Sequence, residues 1–125
     1  MPRINTYTVM PKHLNGAGTL FGGQLMAWMD EAAATYAMAI MSTQRIVTAC
    51  FNKLDFLLPA HQGNIVIIEC EFIRQGRTSF EVGIVAKKKT SEGFEEICKT
   101  SAVFVALDEN GKPTPWVQGD WDITT

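Results

Sequence analysis

Hydrophobic positions along this chain recur with two different periods. Residues 24–41 are almost continuously apolar, mostly Ala, Met and Leu, all good helix formers, which predicts one long helix led in by 19–23. From residue 45 the period shortens to two. In 65–75, Glu69 and Glu71 alternate with Ile68, Cys70 and Phe72; in 78–90, Phe80, Val82 and Ile84 alternate with Glu81 and Lys87. Strands are expected over 45–58, 65–75, 78–90 and 96–108, with a short first strand at 5–10. Pro59 with 60–64, then Gly76, then Ser91, Glu92 and Gly93 supply the turns. Residues 11–18 read as a loop, and the tail from Glu109, with Pro113, Pro115, Trp116 and Trp121, as irregular.

Short turns between successive strands imply an antiparallel meander. One very apolar helix must then be covered by one face of that sheet. The expected class is α+β, an antiparallel sheet wrapped around one long central helix, the hotdog architecture; another α+β sandwich is the alternative. The 125 residues fit a single domain over 1-125. So short a chain buries one core with little room for a deep pocket, which favours a site between subunits.

Composition removes several classes of function. Hydrophobic residues make up 46% and charged residues 19%, a globular balance. A net charge of -2 argues against a nucleic-acid binder, although Lys87, Lys88 and Lys89, or Arg74 and Arg77, could form a local basic patch. The apolar run at 25–41 is interrupted by Asp30 and Glu31 and falls short of the ~20 residues of a membrane span. No apolar signal core follows Met1. Cys50, Cys70 and Cys98 are widely spaced, with no CxxC, and are expected to be reduced, buried thiols of a cytoplasmic protein. Only His13 and His61 could join a metal site, and neither sits in a ligand motif, so no metal is expected.

The helix carries one misplaced charge. On a wheel of ~100° per residue, Gln24, Glu31 and Thr35 form a narrow polar stripe, with Met26, Met29, Ala33, Ala37 and Ile40 opposite. Asp30 belongs to neither side. It lies beside Met26, Ala34, Ala37 and Met41, at the border of the apolar face, where a carboxylate is costly unless paired or hydrogen-bonded. Such a group is a candidate general base or nucleophile, because desolvation raises a carboxylate's basicity; an Asp held by an Arg or by loop amides would look the same. Gly22 and Gly23 at the helix start leave backbone N–H groups uncovered, suited with the positive end of the helix to a developing oxyanion. With Asp30 two turns on, a carboxylate and an oxyanion hole are expected near each other.

The run NGAGTLFGGQLMAWMDEA (residues 15–32) resembles the signature of hotdog acyl-CoA thioesterases, within them the branch of the YciA-type enzymes and the cytosolic acyl-CoA hydrolases. Arg45-Ile46-Val47-Thr48, Asp55-Phe56-Leu57-Leu58-Pro59 with Gly63, and Gly76-Arg77-Thr78-Ser79 fit the same family, so the likeness covers the chain up to Asp108. The resemblance implies acyl-CoA hydrolysis to free acid and coenzyme A. It implies Asp30 as the catalytic carboxylate, and Asn15 orienting water or substrate together with Asp30 of a neighbouring subunit. Thr48 would assist Asp30 or the water, and the Gly23 amide would polarise the thioester carbonyl. Arg77, Thr78 and Ser79 would lie near the coenzyme A. It implies a homo-oligomer, a dimer at least and a tetramer or hexamer by family habit, with no cofactor beyond the coenzyme A of the substrate. Asn64 departs from the pattern, standing where an Asp commonly follows the glycine, and the tail matches nothing in it.

A thioester is activated, so backbone amides and one carboxylate suffice, whether Asp30 deprotonates water or attacks the carbonyl. No GxSxG or Ser-His-Asp set is present. Two rivals stand beside this reading: a hotdog dehydratase or hydratase, which would want a His on the helix, and a non-catalytic acyl-CoA binding or sensing module.

Overall fold

The computed structural model describes residues 1–119; Trp121 lies outside the described residues. Strand β1 (Arg3–Thr8) is followed by a 3-10 turn (Pro11–His13) and helix α1 (Gly22–Met41). Then come β2 (Ile46–Phe51), β3 (Asp55–Phe56), β4 (Ile65–Gln75), β5 (Ser79–Thr90) and β6 (Gly93–Ala106). The strands form one antiparallel sheet in the order β1-β4-β5-β6-β2, with β3 also paired to β6. The sheet curls around α1, the expected hotdog arrangement.

Alternation decides the core. Val66, Ile68 and Cys70 on β4, Phe80, Val82, Ile84 and Ala86 on β5, and Ala102, Phe104 and Ala106 on β6 all point inward and are buried. Against them α1 sets Leu25, Trp28, Met29, Ala32, Ala33, Tyr36, Ala37 and Met41. Its alanines let the helix backbone come close to the sheet, and the larger side chains fill the flanks. Pairing register slips at Phe72/Arg74, Thr48/Cys50 and Ala86/Lys87. Such bulges bend a strand and increase its twist, which helps the sheet wrap the helix.

The structure departs from the sequence expectation in several places. The strand expected over 45–58 is broken. After the bulge in β2 the Asn52 amide donates to Ser101 O at 2.9 Å, and Asn52 Nδ2 donates to Ser101 Oγ at 2.6 Å. These bonds keep Asn52 tied to β6, but the ladder stops at Phe51 and resumes only with β3, at Asp55. The last strand starts at Gly93, not 96, because Thr90 pairs with Gly93 across a two-residue turn and Gly93 takes φ 129°, a conformation that glycine tolerates. Met26 is 38% exposed rather than in the core. Cys50 is exposed, against the expectation of three buried thiols. Burial, with Glu69 nearby, pushes the Cys70 thiol up to about 12; burial, with Asp55 nearby, takes Cys98 to about 11.

The three lysines of the run have separate contacts. Lys87 Nζ sits 2.8 Å from Glu69 Oε1, off the line of a hydrogen bond, as an ion pair. Lys88 donates to Pro59 O at 2.8 Å, and Lys89 lies 5.4 Å from the Phe94 ring centre. Among the described residues, no helix is long and apolar enough to cross a membrane.

Phe80 is fully buried between Tyr36, Phe72 and Trp116. Phe80→Ala should cost about 3–5 kcal/mol. Urea unfolding at one fixed protein concentration checks this, since assembly would shift the midpoint with concentration.

Candidate active site

Two adjacent carboxylates on α1 have separate partners. Glu31, on the polar stripe, accepts a 2.8 Å hydrogen bond at Oε2 from the Tyr7 hydroxyl. Tyr7 in turn accepts from Asn5 Nδ2 at 2.9 Å, and its ring stacks on Trp28 with centroids 4.4 Å apart. Glu31 thereby ties β1 to the helix. Asp30 is half-buried, and its Oδ1 accepts a 2.8 Å hydrogen bond from the Thr48 hydroxyl. Among the described residues Oδ2 has no hydrogen-bond partner, and no Arg or Lys pairs with Asp30. An Asp locked by an Arg, the structural alternative, is not what this chain builds.

At the start of α1, Phe21 is the N-cap residue and no side chain caps the helix. The Gln24 and Leu25 amides turn back onto Phe21 O at 3.0 and 3.1 Å. The Gly22 and Gly23 amides are left to bond outside the helix, as first-turn amides generally are. Rings crowd both glycines. A Cβ on Gly23 would come within 2.6 Å of the Phe21 ring, and one on Gly22 within 3.4 Å of Phe56. Beside Gly22 opens a cleft of about 360 Å³ lined by Leu20, Leu25, Phe56, Leu57, Pro59 and Ile97 among others, all apolar.

The expected closeness of Asp30 and the glycine amides does not hold within one chain. Seven residues at the helical rise separate Gly23 from Asp30 by ~10 Å along the axis, too far for both to touch one carbonyl group. Asn15 is not at Asp30 either. Its Oδ1 accepts from the Ala17 and Thr19 amides at 3.0 Å each, and its Nδ2 donates to Thr19 Oγ1 at 3.0 Å. That is turn chemistry, and it still leaves the second N–H of the Asn15 amide group to donate elsewhere. Asn64, the departure from the family pattern, accepts at Oδ1 from the His61 amide at 2.8 Å, a bond that Asp could equally accept.

Thr48, by contrast, meets Asp30 directly, and the register links it to the third group. Val47 pairs with Val105 and Val105 with Ser79, so the 76–79 turn lies at the same end of the sheet as Thr48. Two strand spacings separate them, ~10 Å. Arg77 is exposed and makes no ion pair among the described residues, whereas Arg74 is drawn to Glu81 at 3.5 Å.

A sequence profile described as the thioesterase superfamily matches residues 17–94, which takes in the glycine pair, Asp30, Thr48 and the 76–79 turn. The chain belongs to the thioesterase superfamily. It is 40% identical over 114 residues to the uncharacterized acyl-CoA thioester hydrolase YkhA of Bacillus subtilis, covering 90% of this chain and 66% of that one. To the acyl-CoA thioester hydrolase YciA of Salmonella typhimurium it is 35% identical, covering 88% and 86%. Its fold superposes on the hexameric thioesterase of Yersinia pestis with a TM-score of 0.86 at 29% identity, covering 91% and 93%. The resemblance read in residues 15–32 to the YciA-type branch agrees with these relatives, and the hotdog fold was already legible in the order of helix and strands.

Tyr7 was not legible, because a tyrosine in a short edge strand has no local signature; only the folded chain brings it to Glu31. Burial first, and then the hydrogen bond it donates to Glu31, raise the Tyr7 phenol from 10.0 to about 12. The folded state therefore holds this proton more tightly than the unfolded chain does. The stability it contributes is complete below pH 10 and is lost as pH rises through about 12. Cys70 and Cys98 lose stability in an overlapping window, so the wild-type slope there should be steep. Tyr7→Phe should remove only the tyrosine's share, seen as a shallower fall of the unfolding free energy between pH 10 and 12.

Proposed function

We infer that this thioesterase-superfamily protein hydrolyses acyl-coenzyme A to the free acid and coenzyme A, in a site shared between two copies of the chain. The observation that carries this reading is the Asp30 carboxylate. It is half-buried on an apolar helix, oriented through one oxygen by Thr48, and open at the other. Acyl-CoA thioester hydrolases among the relatives supply the substrate class.

The surface around Asp30 supports a second copy. The stripe of α1 that carries Asp30 also carries Met26, Ala27 and Ala34, all exposed or half-exposed. Next to it β2 pairs only with β6, and Val47, Thr48, Ala49 and Cys50 are exposed. An uncovered edge strand beside an apolar helix stripe is a surface for another chain. Antiparallel packing of two such stripes would offset the ~10 Å between Gly23 and Asp30, setting Asp30 of one copy against Gly23 and Asn15 of the other. The dimer is the minimum unit, and the hexameric Yersinia relative favours further assembly.

In that site the Gly23 N–H donates to the thioester oxygen as negative charge develops on it. Asp30 either takes a proton from water that attacks the carbonyl carbon, or attacks that carbon itself to give a mixed anhydride that water then hydrolyses to the acid and the free Asp30 carboxylate; in both routes the C–S bond breaks and the leaving coenzyme A thiolate takes up the proton that the water gives up. Asn15 holds the water through its remaining N–H. Thr48 fixes the Asp30 oxygen that does not react. The acyl group lies in the apolar cleft beside Gly22, and Arg77, Thr78 and Ser79 meet the coenzyme A, the guanidinium offering a phosphate two parallel donors. The site residues need no cofactor, and the chemistry suits the cytoplasm, where acyl-CoA is made and used.

Asp30→Asn decides the matter, since it is nearly isosteric and can neither accept a proton nor form an anhydride. The kcat for acyl-CoA should fall by roughly 10²–10⁴ or more, with binding of a non-hydrolysable analogue retained. Wild-type turnover in this variant would overturn Asp30 as the catalytic carboxylate, whereas an absence of turnover in the wild-type protein would favour a binding module. Separately, light scattering should find every active species to be a dimer or larger; an active monomer would remove the shared site.

A further inference from the structure

The tail after β6 folds back onto the turn that carries Arg77. Asp108 Oδ1 accepts from the Asn110 and Lys112 amides at 2.8 and 3.0 Å and reverses the chain. Residues 113–119 then run back across the molecule. The Thr114 amide donates to Ala106 O at 2.9 Å, and the Gly119 amide donates to Ile40 O at the end of α1 at 2.8 Å. Between these anchors the Trp116 indole Nε1 donates to Ser79 O at 2.9 Å, and its ring meets Phe80 edge-on at 5.4 Å.

Ser79 O is the atom that closes the turn. The Gly76 amide donates to it at 2.9 Å across the four residues 76–79. The other backbone tie is Ala106 N–H to Thr78 O, also 2.9 Å. Of the hydrogen bonds that hold this turn's backbone to the rest of the fold, Trp116 supplies the one made by a side chain. Arg77 at the tip has no ion pair among the described residues, so its orientation rests on that backbone.

We propose that Trp116 is a positioning residue for substrate: its indole N–H fixes the 76–79 turn so that Arg77 faces the coenzyme A phosphates. This rests on the reading that the turn meets coenzyme A. A flexible turn would still bind, but part of the binding energy would go into ordering it. The loss would fall on affinity and not on the chemical step at Asp30, because a contact far from the thioester acts equally on ground and transition states.

The test uses Trp116→Phe, which keeps a ring against Phe80 and removes the donor, together with Arg77→Ala and the double variant. Trp116→Phe should raise KM for acyl-CoA about 3- to 10-fold, the loss of one hydrogen bond's worth, and weaken free coenzyme A binding in calorimetry by the same factor. Its kcat should stay within about twofold. Amide exchange at Gly76 and Ala106 should quicken, giving a readout of the turn that does not depend on activity. The double variant should bind little worse than Arg77→Ala alone, since Trp116 acts through the turn. A raised KM in Arg77→Ala with an unchanged KM in Trp116→Phe would overturn the positioning role alone. An unchanged KM in Arg77→Ala would overturn the reading of the turn as the coenzyme A contact, and this proposal with it. Fully additive losses would also overturn it, because they would mean that Trp116 acts independently of Arg77.

Discussion

Helix α1 is apolar nearly all round, and a single curled sheet covers only part of its circumference. The sheet takes the sides of Leu25, Trp28, Met29, Ala33, Tyr36 and Ala37. The remaining stripe, with Met26, Ala27, Asp30 and Ala34, stays open or half-open. The Asp30 carboxylate lies along that stripe, and the Gly22 and Gly23 amides lie at its start. The stripe borders the unpaired edge of β2, and it begins at glycine amides that the helix itself leaves unbonded. Apolar surface in that position favours a second copy of the chain, so the constraint that shapes the core also sets where a shared site would form.

Two carboxylates side by side on one helix end up with different work because their neighbours differ. Glu31 faces β1 and is used by Tyr7 to fasten the sheet edge to the helix. Asp30, one residue earlier and ~100° around, faces β2 and meets a single hydroxyl. One hydrogen bond orients a carboxylate without neutralising it, whereas an Arg partner would have held both oxygens. The bulge that follows Thr48 in β2 breaks the ladder just beyond the residue that makes this contact.

The tail ties distant pieces together. It leaves β6, bonds to the last turn of α1 and reaches the start of β5 through Trp116. Thus the end of the helix, the end of β6 and the 76–79 turn form one packed unit, and Phe80 packs there against Tyr36 and Trp116. A segment that reads as irregular is in this way part of the core's closure.

Sequence alone determined the elements whose signal is local. A run of helix formers gives α1, strict alternation gives β4 and β5, and the glycine-rich lead with Asp30 carries the family signature, because each depends on neighbours within a few residues. What alternation could not register was the interruption of a long strand: after Phe51 the ladder stops and the Asn52 side chain bonds instead to Ser101 and Glu81, residues far along the chain. The wheel put Asp30 at a border but could not say what it touches, since Thr48 arrives only when β2 closes the sheet's far edge. It also placed Met26 inside, because a wheel knows apolarity and not which side a sheet will cover. The separation of Gly23 from Asp30, the fastening of Glu31 by Tyr7 and the docking of Trp116 on Ser79 were decided by tertiary structure. Each joins residues whose distance in space is set by the packing of the whole sheet on the helix, a quantity that no local pattern encodes.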